Sequence, residues 1–66
     1  MQAEIDRQIE MAKKVQAENG FGPAAIIRLQ FSKRRFGYGF NFAKGAQVGD
    51  TYDDGYGVKI TVVAIV

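Results

Sequence analysis

Residues 25–42, AIIRLQFSKRRFGYGFNF, constrain the fold more tightly than any other stretch, because they can close on themselves as a β-hairpin with one apolar face on each arm. On the first arm Ile27, Leu29 and Phe31 alternate with Arg28, Gln30 and Ser32. On the second, Phe36, Tyr38, Phe40 and Phe42 alternate with Gly37, Gly39 and Asn41. A turn centred on Lys33 and Arg34 sets Phe31 opposite Phe36, Leu29 opposite Tyr38, Ile27 opposite Phe40 and Ala25 opposite Phe42. In that register every apolar side chain meets another, and a slip of one residue turns one arm's set to solvent. The expected core therefore holds Leu29 and Phe40, with Arg28, Gln30 and Asn41 outside it.

Size then limits what the hairpin can be part of. A chain of 66 residues is expected to form one small domain, and such a chain buries only about 60% of its unfolded surface, so its core needs reinforcement. With no Cys and no His, disulfides, thiolate metal sites and a neutral-pH proton shuttle are all excluded, which leaves oligomerisation as the expected staple. Nine basic and seven acidic side chains give a net charge of +2, too small to imply a polyanion partner unless the cations cluster locally. The apolar content of 47% excludes a disordered chain, and no apolar run is long enough to span a membrane. The charged N-terminal segment lacks the apolar core of a secretory signal, so a cytoplasmic location is expected.

In chain order, residues 2–18 read as an amphipathic helix whose narrow apolar stripe is Ile5, Ile9, Ala12 and Val15. Asn19-Gly20 supplies a left-handed cap, and Gly22-Pro23 prevents the helix from resuming. Its length of roughly 25 Å matches a seven-residue strand, so it can lie along the hairpin. Residues 43–57, rich in Gly and Asp, read as a loop with at most one short strand. Residues 58–66 read as a final strand. It begins with alternation and ends in Val62-Val63-Ala64-Ile65-Val66, apolar toward both faces. A single helix covers one face only, and this strand is expected to have a free edge that can pair with its copy about a two-fold axis, so Val63 and Ile65 are expected to meet a partner subunit, unless the chain is a piece or shortened version of something larger.

Four groups of residues bear on chemistry. Lys33-Arg34-Arg35 is the one dense basic cluster, and the aromatics beside it complete the ingredients of nucleic-acid contact, cations for phosphates and rings for bases. Against that, rings sharing a face with Ile27 and Leu29 belong to a core, and a three-residue basic turn is ordinarily solvated. The segment Phe36-Gly37-Tyr38-Gly39-Phe40 has the flavour of the aromatic-glycine motif of RNA-binding sheets, but Phe36 stands where that motif has a basic residue. Asp50, Asp53 and Asp54 among glycines do not keep calcium-loop spacing, and they fit turn geometry better. Gly20-Phe21-Gly22 follows a helix rather than preceding one, so it is no phosphate cradle. No catalytic residue and no cofactor is assigned, and the chain is expected not to be an enzyme.

From Ala12 onward the order of elements resembles the HesB-like, A-type iron-sulfur carriers. The likeness is carried by Ile27-Arg28-Leu29, Tyr38-Gly39-Phe40-Asn41-Phe42, Gly49-Asp50 and Gly57-Val58-Lys59-Ile60, in that order. The resemblance implies a helix followed by an antiparallel sheet, and it sets the family's Cys-Ser-Gly at Lys33-Arg34-Arg35. Its later aspartate is lost at Val63-Ala64 and its Cys-Gly-Cys segment is missing. Cluster binding through thiolates is therefore chemically excluded, and the resemblance implies at most a carrier-like scaffold without its cluster.

The sequence thus leads to an α+β fold, with an N-terminal amphipathic helix packed on a small antiparallel sheet built around the 25–42 hairpin. The expected function is binding: association with a protein partner or with itself, or else nucleic-acid contact through Lys33, Arg34 and Arg35.

Overall fold

The computed structural model describes residues 2–66. It is an α+β fold in which one helix, α1 (Gln2–Asn19), precedes four strands: β1 (Ala25–Gln30), β2 (Phe36–Asn41), β3 (Thr51–Asp53) and β4 (Lys59–Ile65). The strands form one antiparallel sheet in the order β2-β1-β4-β3. Along α1 the predicted stripe faces inward: Ala12 is fully buried, and Ile5 and Ile9 pack on the same cluster. A small residue at Ala12 lets the helix approach the sheet closely. The helix stops at Gly20, whose φ of 68° is the left-handed conformation that glycine adopts without a Cβ clash. There the Gly20 N–H donates to the Gln16 carbonyl at 2.8 Å. The Gln16 side-chain amide in turn donates to the carbonyls of Gly22 (3.0 Å) and Val66 (3.1 Å), tying the end of α1 to the end of the last strand.

The hairpin forms, but one residue away from the register that alternation favours. Ile26 lies opposite Phe40, Ile27 opposite Gly39, Arg28 opposite Tyr38, Leu29 opposite Gly37 and Gln30 opposite Phe36. The cause is the Ile26-Ile27 pair, which makes the start of β1 apolar on both faces, so a one-residue slip puts Ile26 in place of Ile27 opposite Phe40 and loses burial only at the open end of the hairpin. Ile26 and Phe40 face α1, together with Ala12, Ala24 and Phe42. Ile27 and Leu29 face the other way and sit over the glycines of β2, where a Cβ on Gly39 would lie 3.9 Å from both side chains. Phe31 and Phe36, expected to face each other in the core, are both exposed. The rings of β2 and the side chains of Ile27 and Leu29 do not share a face. The connection between the arms is also wider than a turn centred on Lys33 and Arg34. It spans residues 31–35, closed by Phe31 N–H and Ser32 N–H donating to the Arg35 carbonyl (2.9 and 3.2 Å).

A second core lies on the face away from the helix: Ala25, Ile27, Ile60 and Val62, flanked by Leu29, Ala46 and Val58. The Gly/Asp loop closes over it and is zipped to β4 by Gly49 N–H to the Val62 carbonyl and Val62 N–H to the Asp50 carbonyl, each 2.9 Å. β4 is therefore not the free edge the sequence led us to expect, since β1 flanks it on one side and β3 with this loop on the other. Its two-faced apolar run is absorbed by an irregularity in the pairing, which steps from Ile26–Ala64 to Ile27–Val62 and leaves Val63 as the extra residue. Val62 then faces the second core, while Val63 and Ala64 both pack on the helix side. The loop covers one face of β4, and on the other Val63 and Ala64 pack on the cluster around Ile26.

Candidate functional site

Pairing β4 antiparallel to β1 brings the β1–β2 connection and the β3–β4 turn to the same end of the sheet. Lys33, Arg34 and Arg35 occupy the first of these, all exposed. Their backbone is held by the Phe31 and Ser32 hydrogen bonds to Arg35 and by the Gln30 side-chain amide, which donates to the carbonyls of Ser32 and Arg35. The turn is thus fixed while its charged side chains stay in water. Beside it, Arg28 and Lys59 flank Gln30, Arg28 two residues before it on β1 and Lys59 opposite it on β4. Five of the nine basic residues therefore share this end, whereas Asp53 and Asp54 are the acidic residues on its strands and turns.

The same end gathers aromatic rings that the core does not take. Phe36 is 43% exposed and lies under the Arg28 guanidinium, 4.5 Å from the ring centroid. Such a contact contributes about 0.5–1 kcal/mol at an exposed site and fixes the arginine's position. Tyr38 meets Phe36 edge-on, with centroids 6.0 Å apart. Phe31 and Tyr52 lie exposed on the opposite face, and Tyr56, 91% exposed, projects from the β3–β4 turn. That turn is built by Asp54, whose carboxylate accepts from Tyr56 N–H (2.6 Å) and Val58 N–H (3.2 Å). Asp50 likewise accepts from Gln47 N–H at 2.9 Å. Asp50 and Asp54 thus form turns while Asp53 lies in β3, and among the described residues no group of three or more acidic, Cys or His side chains is placed to hold a metal ion.

Val63 and Ile65 lie toward the other end and do not share a face. Val63 is half-buried against the helix-side cluster, whereas Ile65 is opposite Ala25 and 38% exposed. Ile65 rims an open groove of about 340 Å³ with Pro23, Ala25 and Ala46. A second groove of similar volume runs past Phe21, Pro23 and Phe42. Of the residues singled out from sequence, the structure keeps Lys33, Arg34 and Arg35 together and separates them from Val63 and Ile65. It keeps Phe36 and Tyr38 beside the basic turn and adds Arg28, Tyr56 and Lys59 to that end. Lys59 and Tyr56 carry no local signal for this, since their position depends on which strand β4 pairs with.

No family model, no curated protein and no solved structure matches the chain. The likeness to HesB-like carriers accordingly rests on its own short segments. Among the described residues no helix is long and apolar enough to cross a membrane.

Proposed function

We propose that the chain is a small, non-catalytic binding module that holds nucleic acid at the basic, aromatic end of its sheet. One observation carries this reading: Arg28 is stacked on an exposed Phe36 at the foot of the Lys33–Arg35 turn, so cations and rings alternate over one continuous surface. Cations of this kind neutralise phosphates, and rings with open faces accept bases. The carrier-like resemblance fits this reading as ancestry of the scaffold, with a basic turn standing where the thiolate segment would be. The expected setting is the cytoplasm.

The test is a titration with labelled mixed-sequence oligonucleotides over a range of salt concentrations. The parent is expected to bind at low salt. Replacing Lys33, Arg34 and Arg35 together by Ser is expected to abolish binding, or to lower the salt slope by about 0.7–0.9 for each phosphate no longer neutralised. A parent that binds no oligonucleotide at low salt overturns the reading, as does binding that survives the triple change intact.

A second reading, association with a protein partner or with itself, is favoured by Ile65, an aliphatic side chain left 38% exposed beside the groove at Pro23. The two readings use opposite ends of the molecule.

A further inference from the structure

We infer that the part of the helix-side face left open toward the basic end is a platform for single-stranded RNA. The inference rests on the nucleic-acid reading above and names its ligand. Strand pairing sets Phe36, Gln30, Lys59 and Asp53 side by side across β2, β1, β4 and β3, and places Tyr38, Arg28, Thr61 and Thr51 in the next row. The row after that, Phe40 with Ile26 and Ala64, lies in the cluster packed against α1. Ahead of it Arg28, Phe36, Thr51, Asp53 and Lys59 are exposed, and Gln30, Tyr38 and Thr61 are half-buried. Four strands at about 4.8 Å spacing make this surface about 14 Å wide, the scale on which sheet platforms stack two or three bases.

Charge and chemistry select the ligand. Phosphates fit Lys59, within the first row, and the Lys33–Arg35 turn beyond it, and a base fits on the Arg28 guanidinium that lies over Phe36 at the β2 side. In a duplex the base faces are already stacked on one another, so rings lying on a sheet can be met only by unpaired bases. Asp53 ends the first row on the β3 side, where a carboxylate repels phosphate, and so the backbone is confined to the β2-β1-β4 portion. The sugar is set by the neutral groups of the rows. Among the described residues nothing hydrogen-bonds to the Thr61 hydroxyl, which lies between Arg28 and Thr51. A 2′-hydroxyl is the group on RNA, and not on DNA, that such a side chain can engage.

The test compares fluorescence anisotropy of a labelled single-stranded RNA, the same sequence as single-stranded DNA, and the RNA duplex. Each is titrated with the parent, Phe36→Leu, Thr61→Val and the Lys33/Arg34/Arg35→Ser protein, with thermal melts to verify folding. The single-stranded RNA is expected to bind about tenfold or more tighter than the duplex. Phe36→Leu is expected to weaken single-strand binding by about 5- to 100-fold while leaving duplex binding unchanged. Thr61→Val is expected to bring RNA and DNA affinities together. Binding that depends on the tip but is equal for duplex and single strand, and indifferent to Phe36→Leu, overturns the platform and leaves the nucleic-acid reading standing. Equal affinity of the parent for RNA and DNA single strands overturns the assignment to RNA. No binding to any of the three overturns both proposals. Should Phe36→Leu fail to fold, Arg28→Gln, at an exposed position, serves with the same expected loss, and unchanged single-strand binding by it overturns the platform.

Discussion

Ile26 and Leu29 stand three residues apart on one strand and answer to different cores. Ile26 is fully buried between α1 and Phe40, while Leu29 flanks the opposite core and remains half-buried. Truncating a buried isoleucine removes its transfer energy and leaves a cavity that the helix cannot readily collapse into. Ile26→Ala is therefore expected to lose about 2–5 kcal/mol, a large share of the stability of a domain this small. Leu29→Ala is expected to lose less than half as much, because part of that side chain already meets water. Chemical denaturation of the two variants decides the matter. Equal losses, or a larger loss at Leu29, would return the hairpin to the register that simple alternation favours.

At the scale of elements, that register is the instructive difference between sequence and structure. The helix was legible because Ile5, Ile9, Ala12 and Val15 make one stripe at helical spacing and Gly20 permits only one kind of ending. The hairpin was legible as a pair of strands but not in its pairing. Alternation specifies a register only when one face of each strand is polar, and Ile26-Ile27 removes that condition. The paired glycines then decide, since Gly39 leaves space that Ile27 and Leu29 fill and Gly37 leaves space beside Phe31. Likewise the Val62-Val63-Ala64 run did not disclose that an extra residue in β4 would turn two consecutive side chains to the same core. The basic tip was legible from three consecutive cations, whereas Lys59 and Tyr56 joined it only through the placement of β4, and Arg28 through the hairpin register that sets it on the face of Phe36. A substitution tests this pairing. Gly39 has an ordinary strand conformation, and a methyl there would touch Ile27 and Leu29 at 3.9 Å. Gly39→Ala is expected to raise stability by about 0.5–1 kcal/mol. In a double-mutant cycle with Ile27→Ala the two effects are expected to couple, as residues in contact do. Strict additivity would mean that Gly39 does not face Ile27.

Over the whole molecule, some 35 Å in its longest dimension, the two ends of the sheet differ in kind. One carries most of the basic side chains and open rings, and the other carries Phe21, Pro23, Phe42 and Ile65 around two apolar grooves. Self-association through the apolar end would leave the basic ends of both copies facing water, so the two readings of function are compatible. It would also act without the open edge on β4 that the sequence implied, because β3 and the loop occupy that edge up to Val62. Folding and association can then be separated by choosing residues on either side of the core boundary. Val63 packs on the helix-side cluster, so Val63→Lys places an ammonium against buried aliphatic groups and is expected to lower the melting temperature at every protein concentration. Ile65 is 38% exposed, so Ile65→Thr is expected to leave the melt of dilute protein within a few degrees of the parent. If Ile65 is a contact between copies, the parent's melting temperature rises with concentration, because assembly stabilises only the folded chain. That rise is expected to vanish in Ile65→Thr, with sedimentation showing the parent heavier than the variant at high concentration. A parent that sediments as a monomer at high concentration, with a melt independent of concentration, rules out self-association at the apolar end.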